Sequence, residues 1–316
     1  MSSSAPARHW ADIGETTFVA GIRFLCFVEQ WFGRWPFRLC LVPVVLCHWL
    51  FNRTARDASR QYLQRLHAAH AVFPRPPGVW MSLRHFACFA ETLLDKLLVS
   101  RGRFPSAGMH VERDVMLAQM ATGRGGVIIT AHVGCLELCQ ALADSVPDFR
   151  LTALVHTAHA ENFNRLYGRL NPQGRVRLLQ VQALDAATAA RLGERVAAGE
   201  FVAIAGDRVP VHGGRSVQAA FLGQPALFPI GPYVLASALG CPLFAMACTH
   251  ADAGYRLCFE KFDERVLLPR ASREAALAAQ ATRFSRWLEA TLMRSPLDWF
   301  NFFPFWDQVA HDPAIR

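Results

Sequence analysis

The sequence predicts an α/β protein, a mixed sheet flanked by helices, with a hydrophobic helical hairpin ahead of it. Three observations lead there. From Gly125 onward, short apolar runs (VIITAH, RLTALVH, RVRLLQV, EFVAIAG, CPLFAMACTH and YRLCFE) alternate with segments of helical length such as LDAATAARLGERVAAGE. Buried strands with helices laid over their faces produce that alternation. Residues 16–51 are different in kind, apolar over long stretches that are interrupted by Arg23, Glu29, Arg34 and Arg38. The 316 residues suffice for one large domain with an accessory segment.

Residues 1–15 are polar and carry no apolar core, so no cleaved secretory signal is expected. Residues 16–52 form the membrane-associated segment. Phe18, Ile22, Leu25, Val28 and Phe32 recur at helical spacing, Gly33 to Pro36 reads as a turn, and Leu39 to Phe51 is uncharged. Thirteen helical residues reach about 20 Å, short of the roughly 30 Å hydrocarbon core. Trp31, Trp35 and Trp49 are of the type that collects at a bilayer interface. A hairpin lying in the membrane surface therefore fits better than a span; a hairpin buried against the main domain is the alternative. The α/β domain occupies 53–316. A polar helix runs over 53–75 to the PRPP turn, a second from Gly78 to about Ser100, and an amphipathic one over 271–293.

The net charge of +8 is almost entirely arginine, since Lys96 and Lys261 are the only lysines. Such a balance suits an anionic membrane surface, an acidic carrier protein or a phosphorylated substrate; codon bias toward arginine is the plainer explanation. Nine cysteines contain no C-x-x-C pair, which points to a reducing compartment and to cysteine used as packing. No nucleic-acid motif or basic run is present.

The chemistry centres on TAHVGCLELC, residues 130–139. Positions i and i+5 of a helix do not face each other, so His132 must end a strand and Glu137 begin the helix, with Gly134 allowing the turn. A carboxylate in a first helical turn stays ionised and can hold one imidazole nitrogen, leaving the other to take a proton. A buried structural histidine is the alternative. Further on, IAGDRVP places Asp207 and Arg208 at another strand's carboxyl end, where open α/β folds bind ligands. Asp207 is expected to hold Arg208, and Arg208 to grip an anionic part of a substrate. Arg215 follows a glycine-rich turn and, like Asp207 and Arg208, is expected to bind substrate; the prolines and glycines of FLGQPALFPIGP read as a loop before a helix starting near Tyr233.

His132-x-x-x-x-Glu137, Gly206-Asp207-Arg208, Phe221-Leu222-Gly223 and Pro229-x-Gly231 occur here in the order seen in one family. Over about Ser82 to Trp306 the chain resembles the bacterial lipid A biosynthesis lauroyl/myristoyl acyltransferases of the lysophospholipid acyltransferase superfamily. Within it, the chain is closer to a divergent branch linked to aryl polyene-type lipids. Cys135 and Leu136 stand where lipid A enzymes commonly carry Asn and Trp. The resemblance implies a glycerolipid acyltransferase-like fold at the cytoplasmic face of the inner membrane. It implies transfer of an acyl group from acyl carrier protein or acyl-CoA to a lipid or sugar-lipid hydroxyl, with no cofactor and no metal. His132 would be the base, Glu137 its partner and Arg208 an anion-binding group.

Other candidates are weaker. His156, His159 and Glu161 lie within six residues, without a strong metal pattern. The resemblance puts them beside the cleft, so His159 reads as an acceptor contact. Arg165 could bind a phosphate or face solvent. The tail DWFNFFPFW, 298–306, suits core packing, a lid on an acyl chain or an interfacial contact. Cys135 and Cys139 read as packing. Two other classes stay open: a non-catalytic lipid-binding protein, and a metal-dependent hydrolase built on 156–161.

Overall fold

Runs rich in Val, Ile and Phe fit a pleated, half-buried surface. In the computed structural model, which describes residues 27–100, 109–136, 138, 146, 148–155, 176–180, 185–209, 215–252 and 254–311, they form a seven-stranded sheet. Its strands are β1 (Met109–Glu112), β2 (Val127–Gly134), β3 (Leu151–Val155), β4 (Val176–Gln180), β5 (Phe201–Ala205), β8 (Leu243–Ala251) and β9 (Gly254–Asp263). The order is β1-β9-β8-β2-β5-β3-β4, with β8 antiparallel to β9 and every other neighbouring pair parallel. All six apolar runs are strands; β1, on the far edge, carried no comparable apolar signal. Alternation along β2 divides the interior: Val127, Ile129, Ala131 and Val133 belong to one core, Ile128 to the other.

From β2 the chain moves outward to β3 and β4, returns to insert β5 beside β2, and later lays β8 on the other flank of β2. The carboxyl end of β2 is thus a point where the winding reverses, the place such sheets keep for ligands.

Residues 221–229 are not the loop the prolines suggested. β6 (Ser216–Phe221) and β7 (Gln224–Pro229) make a separate antiparallel hairpin, closed by Leu222 at φ 51° and Gly223 at φ 74°. Two positive φ values in a two-residue loop match strand twist, and a two-stranded ribbon tolerates Pro225 and Pro229 because each strand is an edge. The next helix begins at Gly231, with Pro232 in its first turn.

At the amino end residues 27–32 are helical, Gly33 interrupts at φ 80°, and α1 (Arg34–Phe51) follows. The break is narrower than the expected four-residue turn. Pro36 lies in the first turn of α1, where its missing N–H would have had no partner. α2 (Arg53–His70) is capped by Asn52, whose Oδ1 accepts from Ala55 N at 3.0 Å. α3 (Val79–Ser100) takes the expected span. Phe37, Leu41 and Val45, four residues apart on α1, pack against Phe86, Leu94 and Leu98 of α3. Arg34 pairs with Asp95 at 2.5 Å and Arg38 with Glu91 at 3.0 Å. The opposite side of α1 leaves Trp35, Leu39, Val42, Leu46, Leu50 and Phe51 exposed. No single described helix is long and apolar enough to cross a membrane; α1 and α2, bent by 94°, pass together on length and composition. Residues 16–26 of the expected hairpin lie outside the described residues. The amphipathic carboxyl-terminal helix is Arg273–Arg294.

The end of β2 bulges. Thr130 faces Met246 of β8, but the next partner pair is Gly134 with Cys248, so β2 uses four residues where β8 uses two. Gly134 adopts φ 57°, and a Cβ there would lie 2.0 Å from Cys248 O. Gly134→Ala combines a left-handed backbone penalty with a clash against main chain, about 2–5 kcal/mol together. Urea denaturation should show that loss. A cost below about 1 kcal/mol would mean the bulge shifts freely.

Candidate functional site

His132 sits inside the bulge, and its backbone is satisfied away from the neighbouring strands. Its N–H donates to Asp207 Oδ2 at 2.9 Å and its carbonyl accepts from Phe300 N at 2.8 Å. Gly134 N donates to Asp298 O at 2.9 Å, and Val133 bridges antiparallel to Trp299. A segment far along the chain therefore completes the strand end that carries the histidine.

Asp207 lies two residues beyond β5 and is fully buried. Its Oδ1 takes the imidazole Nδ1 of His132 at 2.8 Å. Its Oδ2 accepts from His132 N at 2.9 Å, Trp299 Nε1 at 3.0 Å and Asn301 Nδ2 at 2.9 Å. Burial alone would raise this carboxyl, but the charge and hydrogen bond of His132, then the Arg208 charge, hold it down to about 2. An ionised carboxylate only accepts, so Nδ1 carries the proton and Nε2 of the neutral ring carries the lone pair. The His132 side chain is 36% exposed. Burial and the positive charge of Arg208, with a smaller push from Lys96, lower its pKa despite Asp207. At neutral pH the site holds an oriented, unprotonated imidazole beside a buried anion, which is how a general base is built.

Arg208 donates to Asn301, while the expected pairing with Asp207 shows as a charge effect on that carboxyl. Its Nε donates to Asn301 Oδ1 at 2.8 Å, its Nη2 to Phe300 O at 3.3 Å, and its guanidinium lies 5.7 Å from the Phe303 ring centre. Asn301 links cation and carboxylate, with one end of its amide on each. Asp207 thus reaches the His132 ring directly, a contact that the expected hold on Arg208 did not include. Asp207 takes Nδ1 of His132; Glu137, expected to hold one of the two ring nitrogens, lies outside the described residues. So do His156, His159, Glu161 and Arg165. Arg215 stands exposed at the entry to β6, where its carbonyl accepts from Ile230 N.

The tail is the part sequence reasoning undervalued. Asp298, Trp299 and Asn301 are buried at 1%, 0% and 2% exposure and supply the site's second layer of hydrogen bonds. A usable signal existed: Asp and Asn inside an aromatic run must find partners if the run is buried. The aromatic packing expected there is present, with Trp299 edge-on to Tyr62, Phe221 and Phe305 at centroid distances of 5.0, 5.2 and 4.9 Å.

A second histidine–aspartate pair lies at the same edge of the sheet. His250 of β8 donates its N–H to Asp298 Oδ2 at 2.7 Å, and its Nδ1 meets Asp298 Oδ1 at 2.6 Å. Cys88 Sγ is 3.3 Å from Asp298 Oδ1 and 3.7 Å from His250 Nδ1. This is no nucleophile triad, because the thiol meets the same ring nitrogen as the carboxylate, and burial and Asp298 push its pKa far up. The three donor atoms are close enough to surround a cation, but they already satisfy one another as hydrogen bonds.

No protein-family model matches the chain, and no curated protein matches it.

Proposed function

We propose that the protein is a membrane-associated O-acyltransferase with a glycerolipid acyltransferase-like fold. It moves a fatty acyl group from a thioester carrier, acyl carrier protein or acyl-CoA, to a hydroxyl of a lipid or sugar-lipid at the cytoplasmic face of the inner membrane. The observation that carries this reading is the His132 imidazole hydrogen-bonded through Nδ1 to buried Asp207 at the carboxyl edge of the sheet. Nε2 accepts the acceptor's hydroxyl proton as that oxygen attacks the thioester carbonyl. The tetrahedral intermediate collapses by breaking the C–S bond, and the proton on Nε2 passes to the departing thiolate. Arg208, whose charge acts on His132, is suited to an anionic group of donor or acceptor.

The test is release of free thiol from a long-chain acyl thioester by the purified full chain, with and without a membrane lipid extract. Release that depends on the extract, with a heavier lipid as product, supports the reading. Release without any acylated lipid would make the protein a hydrolase.

The exposed face of α1, together with exposed Trp31 and Trp80, supports attachment to the bilayer surface. Replacing Trp35, Leu39 and Leu46 together by Glu should abolish most binding to anionic vesicles. At about 1.5 kcal/mol for each of the three apolar side chains withdrawn, affinity should fall about a thousandfold. Vesicle sedimentation measures this, and unchanged binding would place the contact elsewhere.

A further inference from the structure

We propose that His250 and Asp298 form a positioning pair that sets the orientation and base strength of His132 through segment 298–301. The proposal rests on the reading of His132 as the base. The second pair repeats the first: each histidine gives its backbone N–H to one carboxylate oxygen and its Nδ1 to the other. His250 lies on β8, the strand beside β2, so both pairs stand on neighbouring strands at one edge.

Asp298 is the link. Its carboxylate is fixed by His250, by Ser295 Oγ at 2.7 Å and by the Cys88 thiol. Its backbone carbonyl receives Gly134 N, which shapes the bulge around His132. The next residues reach the base from three sides: Trp299 and Asn301 donate to Asp207, and Phe300 N donates to His132 O. Moving the Asp298 carboxylate therefore moves the donors that hold the base and its orienter.

The surroundings of His250 suit an anchor more than a base. The Tyr255 ring lies 4.4 Å from its own, centre to centre, and Tyr255 OH donates to Asp95 of α3 at 2.8 Å. Burial pushes the His250 pKa down, but the hydrogen bond and charge of Asp298, with the charges of Asp95 and Glu91, raise it above the ordinary value. Arg34 of α1 pairs with Asp95 in turn. The two imidazoles are thus driven apart, His250 toward the cation and His132 toward the neutral form.

The test is a histidine side-chain nitrogen NMR titration of the full chain in detergent, comparing wild type with His250→Leu and His250→Asn. Asparagine places an N–H where imidazole has Nδ1 and so keeps the bond to Asp298. In wild type, His132 should titrate below 6.5 as the Nδ1–H tautomer. His250→Leu should let water reach the site, move that midpoint up toward 6.5 and mix the tautomers. His250→Asn should restore the wild-type curve. With acyl transfer as readout, His250→Leu should lower kcat about a hundredfold at unchanged KM, with recovery in His250→Asn. An unchanged His132 titration in folded His250→Leu overturns the proposal. Should that variant fail to fold, Ser295→Ala, which withdraws one donor from Asp298, must move the His132 midpoint in the same direction, and no movement overturns it. A wild type without acyl transfer would defeat the acyltransferase reading, while the titration still decides this one.

Discussion

Asp207→Asn is expected to lower acyl-transfer turnover about a thousandfold or more in a protein that still folds. The amide has the carboxylate's shape but only one accepting oxygen, and four donors converge on Asp207. If its NH2 faces the imidazole, Nδ1 must become the acceptor and the proton moves to Nε2. The lone pair proposed to take the acceptor's proton is then gone, and the wrong tautomer in a comparable triad costs about 10⁴ in rate. If its oxygen faces the imidazole instead, the NH2 confronts His132 N, Trp299 Nε1 and Asn301 Nδ2, three donors with no acceptor. Leaving buried donors unpaired costs about 1–3 kcal/mol each, so a lower melting temperature should accompany the lost rate. Steady-state kinetics and thermal unfolding of the same preparation read both effects. Turnover near wild type would remove Asp207 as the orienter of the base.

Trp299→Ala should cost about 3–5 kcal/mol, a large part of a typical domain's stability. The side chain is fully buried among Tyr62, Phe221, Phe305 and Trp306, and its Nε1–H serves Asp207. Truncation opens a cavity where α2, the β6–β7 hairpin and the tail meet. Trp299→Phe restores most of the packing but not the N–H, so its stability should lie between wild type and alanine. Its turnover should still fall, because Asp207 has lost a donor. Equilibrium urea unfolding of the three proteins separates packing from hydrogen bonding. A loss below about 1 kcal/mol for alanine would show that the tail packs only loosely on the core.

The strands from β2 to β9 that carry continuous apolar runs were legible because a parallel sheet buries both faces, leaving little room for polar residues. β1 was not, since MHVE alternates half-buried and exposed positions at a sheet edge. The β6–β7 hairpin was missed because its turn is Leu222-Gly223 and its strand holds two prolines, chemistry that reads locally as loop. His132 and Arg208 were legible from their positions at strand ends. The Asp207 contact of His132 was not, because the sheet order brings β5 against β2 and delivers that carboxylate from 75 residues away. Asp298 and Asn301 were read as part of an aromatic packing segment. Their hydrogen bonds depend on where the tail crosses the sheet edge, which local pattern does not encode.

The proposed chemical step is removal of a proton from an acceptor hydroxyl by His132, held by Asp207, during acyl transfer. Its most direct test is lipid mass spectrometry of cells lacking the protein and supplied with wild type, His132→Ala or His132→Gln at matched, membrane-bound levels. A lipid one acyl group heavier than its precursor is expected with wild type alone. The unacylated precursor should persist in both variants, because losing a general base costs about 10²–10⁴ in rate. A full level of the acylated lipid in cells carrying His132→Ala would show that His132 is not the base.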